Sequence, residues 1–350
     1  MPSCIKNNSV DAFSRIMTDW IQQQWTRFTI WHLFLLPISW IFGAVVRIRR
    51  AFYQKGWLKS HRLRVPVIVV GNINVGGTGK TPLVIWLAEQ LLLKGFRPGI
   101  ISRGYGRSTP GCMEVFVSSS PDQVGDEPIL IASKVRCPVF VGTDRVAAGR
   151  ALLEQYPECD VLISDDGLQY YRMQRDVELV VVDAVRGLGN GALLPAGPLR
   201  ESKTRLNTID AIVSNGPVRA GDRFSAAPVV EMSLQPKAFR NVLDDQLRAD
   251  VSDFLNKNIM AIAGIGNPDR FFQQLRSMKL TFSSTSYPDH HAFKPSDFSR
   301  FDGNIILMTE KDAVKCKAFA RPNFWALPVG AMINDELLII ILNKLSALRS

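Results

Sequence analysis

Cysteine is scarce in this sequence of 350 residues, and the five cysteines are odd in number, widely spaced and without a CxxC pair. This usage predicts reduced thiols in a protein that faces the cytosol, without a disulfide framework or a zinc site. No internal repeat is present, which argues against a fibrous or repeat architecture. Acidic residues are outnumbered by basic ones, 32 against 42. The resulting net charge of +10 favours phosphates, anionic lipid headgroups or nucleic acid as partners and does not distinguish among them.

The length and composition are those of a folded protein. A chain of 350 residues exceeds a typical domain of ~100–200 residues, so one large or two linked domains are expected. A hydrophobic fraction of 46% and a charged fraction of 21% argue against long disordered stretches. The chain can therefore bury a sizeable core.

An apolar segment near the N-terminus, Phe28 to Val46, is almost free of charge. Its 19 residues are close to the ~17–25 that span a bilayer, although Pro37, His32 and Ser39 weaken a straight spanning helix. Three tryptophans and a basic cluster accompany it: Trp25, Trp31, Trp40, Arg47, Arg49, Arg50, Lys55 and Lys59. This pattern predicts a membrane-associated helix that either spans the bilayer or lies on it, with a buried core helix as the alternative. Both membrane forms leave the following domain on the cytoplasmic side.

A glycine-rich loop follows a predicted buried strand, Val65 to Ile73, and precedes a helix that runs to about Lys94. The loop and the first helical residues are Gly76, Gly77, Thr78, Gly79, Lys80 and Thr81. In such a loop the backbone N–H groups and the helix N-terminus bind phosphates, the lysine reaches the β and γ phosphates, and the threonine can hold Mg²⁺. Asn74 replaces the first glycine of the usual pattern, and asparagine tolerates the positive φ needed there.

Carboxylates occur in three further places. Asp165 and Asp166 follow a short apolar run, where a phosphate-loop protein holds Mg²⁺, although two aspartates can also form a solvated turn. Asp126 and Glu127 stand at the start of a predicted helix, where an N-cap is the simpler interpretation. His290 lies beside Asp289, and a histidine with a carboxylate partner can accept a proton near neutral pH.

Seven sequence blocks occur together along the chain. They are VGN with GGTGKTP (70–82), SRGYG (102–106), GDEP (125–128), DDGLQ (165–169), LPAGPLRE (194–201), DHH (289–291) and TEKDA (309–313). With these blocks the chain resembles the tetraacyldisaccharide 4′-kinase family, from the N-terminal helix to the C-terminal end. That family transfers the γ-phosphoryl group of ATP to the 4′-hydroxyl of a tetraacylated glucosamine disaccharide 1-phosphate, which gives lipid IVA in lipid A biosynthesis.

The resemblance implies a role for each matching residue. Lys80, Thr81 and the glycine loop would bind ATP and Mg²⁺, and Arg200 would stabilise charge on the phosphates. Asp126 and His290 would form the pair that activates the sugar hydroxyl. Further metal ligands would be Asp166, Glu127 and Glu201. Tyr105 and Gln169 would line the substrate site. One departure is Tyr170, where many relatives place His, so a substrate contact by that histidine is not expected here.

The resemblance also implies an architecture and a location. The expected fold is α/β, a P-loop NTPase-type, mostly parallel sheet flanked by helices, with a second, smaller α/β lobe and an N-terminal membrane-associated helix. The expected divisions are 1–55 for the tail and membrane helix, 56–215 for the kinase core and 216–350 for the C-terminal lobe. Expected partners are ATP, Mg²⁺, the lipid A precursor disaccharide and membrane lipids, without nucleic acid. A monomer at the cytoplasmic face of the inner membrane is expected.

Three other functions compete with a lipid kinase. A membrane-bound ATPase switch of the partitioning type uses a KGGxGKT loop, whereas this chain has Val75 in place of the lysine. A GTPase needs an N-K-x-D sequence, and the nearest candidate, Thr309 to Asp312, has its lysine one place late. A nucleic-acid-binding module would explain the charge, but no aromatic-basic or helix-turn-helix signature accompanies it. The sequence therefore favours the kinase.

Overall fold

A computed structural model describes residues 24–218 and 226–348 of the chain. Cys4 and most of the predicted N-terminal tail lie outside these residues. The described α-helices are α1 His32–Gln54, α2 Lys80–Leu93, α3 Pro121–Val124, α4 Asp126–Ala132, α5 Arg145–Gln155, α6 Pro268–Ser277, α7 Glu310–Cys316 and α8 Asp335–Ala347. Short 3-10 helices are Lys203–Thr208, Val251–Phe254, Pro295–Asp297, Ser299–Phe301 and Lys317–Phe319.

The larger of two sheets has nine strands among the described residues. They are β1 Val67–Gly71, β2 Pro98–Ser102, β3 Met113–Glu114, β4 Val139–Val141, β5 Val161–Asp165, β6 Val177–Asp183, β7 Ala211–Asn215, β8 Val229–Pro236 and β15 Val329–Ile333. Their order is β15-β8-β7-β6-β1-β5-β2-β4-β3, with the edge strands β15 and β3 antiparallel to their neighbours and the seven inner strands parallel. The strand β1 therefore lies near the middle of the sheet, between β5 and β6.

Four of the inner strands, β1, β2, β5 and β7, are buried at every residue because helices cover both faces of the sheet. Along β1, Ile68 packs in a cluster with Leu83 of α2 and Leu337 of α8. Its neighbour Val69 packs on the opposite face with Leu152 of α5. Alternate residues of one strand thus enter two separate cores, and the predicted buried strand is confirmed.

The smaller sheet has six strands: β9 Phe239–Asn241, β10 Arg248–Ala249, β11 Ile259–Ala263, β12 Ser283–Ser286, β13 Ile305–Thr309 and β14 Phe324–Leu327. Their order is β10-β9-β14-β13-β11-β12, and β14, β13, β11 and β12 are parallel. The predicted α/β class with a second, smaller lobe is confirmed. The chain enters and leaves this lobe at adjacent points, since the Lys237 amide donates to the Pro328 carbonyl at 2.9 Å.

The predicted segment 216–350 does not coincide with the smaller lobe. Its outer parts, β8 and β15, belong to the larger sheet, and α8 packs on the core of that sheet. The physical reason is that β15 pairs antiparallel with β8, a contact between distant parts of the chain. The smaller lobe is thus inserted between two strands of the larger one.

The predicted N-terminal helix is present as α1, and it is the one described helix long and apolar enough to cross a membrane. It extends past the apolar segment, so that Arg47, Arg49 and Arg50 lie within its last turns and do not follow it. One face docks on the larger lobe: the Ser39 hydroxyl donates to the Leu193 carbonyl at 2.9 Å. The other face is exposed, and its large apolar side chains include Leu33, Phe34, Trp40 and Ile41.

Candidate active site

The glycine-rich loop connects β1 to α2, as predicted, and α2 begins at Lys80. Gly76 and Gly79 both have a φ of +98°, in the left-handed region that favours glycine. At Gly79 there is also no room for a side chain, because a Cβ atom would lie 2.4 Å from Nδ2 of Asn215. That amide nitrogen donates to the Thr78 carbonyl at 2.9 Å, which fixes the loop against the end of β7.

The loop has the local properties of a phosphate-binding site. A Cβ atom at Gly77 would meet nothing within 4 Å among the described residues, so this part of the loop is open. The Thr78 hydroxyl is buried, and no hydrogen-bond partner for it occurs in the described chain. Free backbone N–H groups at the start of α2 carry partial positive charge, which favours an anion there. The residues present therefore fit the phosphates of ATP.

Two cations flank Asp166 next to this loop. Nζ of Lys80 lies 3.3 Å from one carboxylate oxygen, and Arg200 Nη1 lies 3.7 Å from the other. Burial alone would raise the pKa of Asp166, but Lys80, Arg200 and Arg145 together hold it below its usual value. The residue is thus ionised, as a metal ligand must be. Its backbone has a φ of +48°, and Arg145 Nη2 holds this turn through a 2.7 Å hydrogen bond to the Asp166 carbonyl.

Asp165 lies at the end of β5 and is almost completely buried. One carboxyl oxygen accepts a 3.1 Å hydrogen bond from the Ser102 hydroxyl, whereas the other has no partner in residues 24–218 or 226–348. Burial, with the charges of Glu127 and Asp166, raises the pKa of Asp165 to about 7. An orphaned buried oxygen beside the phosphate loop fits a bound cation.

Gln169 and Glu201, predicted as substrate and metal residues, contact each other. Gln169 Nε2 donates to Glu201 Oε1 at 3.0 Å and to the carbonyl of Asn72, just after β1, at 2.9 Å. The second oxygen of Glu201 accepts from the Tyr171 hydroxyl, and Arg205 Nε lies 3.6 Å from it. Both side chains therefore brace the chain that leads into the loop, and their functional roles stay predictions.

The predicted pair of Asp126 and His290 forms across the two lobes. His290 Nδ1 lies 3.3 Å from Asp126 Oδ1, which joins the start of α4 to the loop after β12. The Tyr105 ring is 4.8 Å from the His290 ring, centroid to centroid, and is largely exposed. The structure thus brings together three residues that are far apart in the sequence.

Charges around Asp126 keep it ionised. Its burial would raise the pKa, but the hydrogen bond from His290 and the charges of Lys311 and Lys315 lower it to about 2. The neighbouring carboxylate of Glu127 lies 3.1 Å from Lys311 Nζ. For Lys311 the cost of burial is outweighed by its carboxylate neighbours, which raise its pKa.

The lobes meet directly over the phosphate loop. A Cβ atom on Gly266, in the loop after β11, would lie 3.1 Å from the Gly77 nitrogen. Two arginines cross the same boundary in opposite directions. Arg186 Nη2 donates to the Gly266 carbonyl at 3.1 Å, and Arg270 Nη2 donates to Asn215 Oδ1 at 2.6 Å. The phosphate loop and the Asp126–His290 pair therefore both lie at the boundary between the lobes.

The predicted metal ligands are not preassembled as a cluster. No group of three or more His, Cys, Asp or Glu side chains suited to a metal ion occurs in the described ranges. Thr81 is the second residue of α2, next to Lys80, and Asp166 is held by Lys80 and Arg200. Glu127 is close enough to Asp165 to raise its pKa. The metal roles of Thr81, Asp166, Glu127 and Glu201 stay predictions.

Two residues in or beside the site, Arg145 and Lys311, have no role predicted from the sequence. Asp165 and Asp166 are both candidates from the sequence, and no sequence signal predicts which of them is buried at the end of β5. Arg145 is the first residue of α5 and is 5% exposed, yet a lone arginine at a helix start carries no motif. Lys311 lies in the TEKDA block, and the signal that could have found it was this block itself.

Comparisons with known proteins agree with this geometry. A family model described as "Tetraacyldisaccharide-1-P 4'-kinase" matches residues 31–346. The chain belongs to the tetraacyldisaccharide-1-phosphate 4′-kinase family. A tetraacyldisaccharide 4′-kinase of Methylobacillus flagellatus is 48% identical, over 96% of this chain and 98% of the relative. One of an Azoarcus species is also 48% identical, over 89% of this chain and 92% of the relative.

A solved member of the 4′-kinase family has the same fold. The structure, of LpxK from Aquifex aeolicus, an "apo" form in complex with ATP, superposes with a TM-score of 0.73 at 31% sequence identity. The match covers 89% of this chain and 98% of the other. The predicted P-loop kinase fold and membership of the 4′-kinase family are confirmed, and the partitioning-type ATPase alternative is not favoured.

Proposed function

We propose that this protein transfers the γ-phosphoryl group of ATP to the 4′-hydroxyl of a tetraacyldisaccharide 1-phosphate. The observation that carries the proposal is the 3.3 Å contact between Asp126 and His290, which crosses the interlobe boundary next to the phosphate loop. A phosphate loop alone would serve any nucleotide hydrolase. A carboxylate–histidine pair, with Asp126 from the larger lobe and His290 from the smaller one, supplies the base that a hydroxyl acceptor requires. Membership of the 4′-kinase family names the acceptor.

The chain's own groups can perform most of the chemistry. The acceptor hydroxyl gives its proton to the Asp126–His290 pair as its oxygen attacks the γ phosphorus in line. Lys80 and Arg200 stabilise the negative charge on the phosphoryl oxygens, which is the main task in a loose transition state. Mg²⁺ that arrives with ATP would be held by Thr81, Asp166, Glu127 and Glu201, and it would neutralise phosphate charge. A positioned base of this kind is typically worth ~10²–10⁴ in rate.

The proposal places the enzyme on a membrane surface through α1. The docked face of α1 is tied to the larger lobe, where the Ser39 hydroxyl also accepts from the Ala196 amide at 2.9 Å. A Cβ atom on Gly43 would lie 2.5 Å from Leu193, so the helix approaches the lobe closely. These contacts favour a helix that lies in the interface, with its apolar face in the acyl boundary and its arginines on anionic headgroups.

A groove beside α1 supports an acylated substrate. It has a volume of about 310 Å³ and is lined by apolar side chains that include Leu36, Trp40 and Leu193, with Lys203 at its polar side. Part of an acyl chain fits such a lining, and a lysine suits a phosphate or headgroup oxygen. We further propose a monomer at the cytoplasmic face of the inner membrane, where ATP is available.

The reaction is tested by transfer of labelled γ-phosphate from ATP to a tetraacyldisaccharide 1-phosphate in detergent micelles. Lipid labelling that disappears in Lys80→Ala is the expected result. Asp126→Ala is expected to lower kcat by about 10²-fold or more and to leave the KM for ATP almost unchanged, because the pair acts on the acceptor. ATP hydrolysis stimulated by bare membranes without lipid labelling would refute the kinase. An equal loss of ATP affinity in Asp126→Ala would refute the base.

The membrane contact is tested by sedimentation with phospholipid vesicles. Ile41 is 67% exposed on the free face of α1, and Leu93 is 77% exposed at the end of α2. Ile41→Glu should release the protein from vesicles, whereas the matched control Leu93→Glu should bind as the unchanged protein does. Anionic vesicles should bind more strongly than neutral ones, and high salt should reduce that difference. Full binding of Ile41→Glu would exclude α1 as the contact.

A further inference from the structure

We propose that Lys311 is the positioning residue of the Asp126–His290 pair, and that its ammonium group fixes the two halves of the pair across the interlobe boundary. This inference rests on the proposed function, since it assigns a support to the proposed base. Lys311 is the second residue of α7, in the smaller lobe. Its role is mechanical and electrostatic, and it acts through the pair.

Four side chains surround the Lys311 ammonium group. From the larger lobe, Oε1 of Glu127 lies 3.1 Å from Nζ and Oδ2 of Asp126 lies 3.8 Å away. From the loop after β12, Oδ1 of Asp289 lies 3.3 Å away and Nε2 of His290 lies 3.4 Å away. The lysine thus contacts both members of the pair and the residue next to each of them.

The pair needs such a support because its own geometry is weak. The Asp126–His290 contact is 3.3 Å long, and His290 has a φ of +59°, which non-glycine residues seldom adopt. A backbone held in that region persists only when its surroundings determine it. Asp126 Oδ2 is buried and lacks a hydrogen bond among the described residues, so the nearby ammonium groups of Lys311 and Lys315 supply its charge balance. Of these two lysines, Lys311 also reaches His290.

The chain contains a matched control for simple lobe attachment. Lys134 follows the end of α4, and its Nζ lies 2.5 Å from Oε1 of Glu310, the first residue of α7. This ion pair joins the same two helices as the Lys311 contacts do, but nothing connects it with Asp126 or His290 in the described contacts. Loss of Lys134 therefore tests lobe attachment, and loss of Lys311 tests the pair.

The experiment measures kcat and the KM for ATP of the full-length protein in the labelled-phosphate assay. Lys311→Met should lower kcat by about 10²-fold, the lower end of what a positioned base contributes, and change the KM for ATP less than about threefold. The kcat of Lys311→Arg should be at least about tenfold higher than that of Lys311→Met, since a guanidinium group can bridge carboxylates. Lys134→Met should keep kcat within about threefold of the unchanged protein, because its ion pair contacts neither Asp126 nor His290 and the buried Glu310 keeps Arg240 as a partner.

A double-mutant cycle with Asp126→Asn decides whether Lys311 acts through the pair. If it does, Lys311→Met lowers kcat by less than about threefold in the Asp126→Asn background. The inference would be overturned if the double variant lost kcat by the product of the two single losses. It would also be overturned if Lys134→Met lost as much kcat as Lys311→Met, or if Lys311→Met kept its kcat. Should Lys311→Met fail to fold by circular dichroism, Lys311→Gln replaces it in the same cycle. An Asp126→Asn variant with full activity would instead refute the proposed base, which separates the two failures.

Discussion

The buried carboxyl of Asp165 leads to a stability prediction with a definite sign. Asp165 is 1% exposed, and one of its carboxyl oxygens has no hydrogen-bond partner in the described chain. Burial and the charges of Glu127 and Asp166 raise its pKa from 3.8 to about 7. The Asp165→Asn side chain has the same shape and no charge. We therefore expect this substitution to stabilise the folded protein at alkaline pH.

The magnitude follows from proton linkage. A carboxyl group whose folded pKa is raised contributes stability that is fully present below its unfolded pKa and is lost as the pH rises through the folded pKa. For Asp165 the window runs from about pH 4 to about pH 7. Raising the pKa of Asp165 from 3.8 to about 7, at about 1.36 kcal/mol for each tenfold change in the acid constant, corresponds to roughly 4 kcal/mol of lost stability. At ~2 °C per kcal/mol, Asp165→Asn should melt roughly 8 °C higher above pH 7, and the difference should vanish near pH 4.

The assay is thermal unfolding of both proteins between pH 4.5 and pH 8.5, without nucleotide or magnesium. Ser102→Ala is the control of opposite sign, because it removes the hydrogen bond to the ionised carboxylate and should lower the melting temperature most at high pH. Two melting curves that differ by a constant amount at every pH would refute the reasoning. Phosphoryl transfer by Asp165→Asn should fall, since a buried charge next to a phosphate loop is retained at a cost in stability.

Three further substitutions test the contacts that define the site. Gly266→Ala places a Cβ atom 3.1 Å from the Gly77 nitrogen and should lower kcat/KM for ATP by about tenfold or more; unchanged kinetics would mean that the lobes do not close here. Ser39→Ala removes two hydrogen bonds between α1 and the larger lobe, including that to Leu193, and should cost about 1–3 kcal/mol in thermal unfolding. Tyr170→Phe should cost about 1 kcal/mol and keep kcat within a few fold, and a large loss of kcat would assign that hydroxyl to the chemistry.

The phosphate loop and its flanking elements could be predicted because their signals are local. Val67 to Gly71 form a short apolar run, which is typical of a buried parallel strand. The glycines before Lys80 indicate a tight turn, because two of them have a positive φ. The DDG block at the end of β5 follows from the same logic. Each of these predictions depends on residues within about one structural element, where sequence spacing fixes geometry.

The lobe boundary could not be predicted because it depends on pairing between distant strands. Nothing in the local pattern of β8 distinguishes an inner strand of the larger sheet from the first strand of a second lobe. Its partner β15 lies almost 100 residues later, and only the folded structure pairs them. The role of Lys311 could not be predicted for the same reason. Its contacts with Asp126 and Glu127 join residues more than 180 positions apart, and no local sequence pattern indicates such contacts.

The insertion of the smaller lobe between β8 and β15 bears on how the protein is made. A ribosome delivers the chain from its N-terminus, and domains generally fold as they emerge. Residues 239–327 are therefore complete before β15 and α8 become available to finish the larger sheet. The larger lobe, which carries the phosphate loop, is the last to be completed, and the lobe that carries His290 has been synthesised by then. Because Lys237 and Pro328 stand side by side, the smaller lobe could also have been acquired or exchanged as a unit without disturbing the sheet that received it.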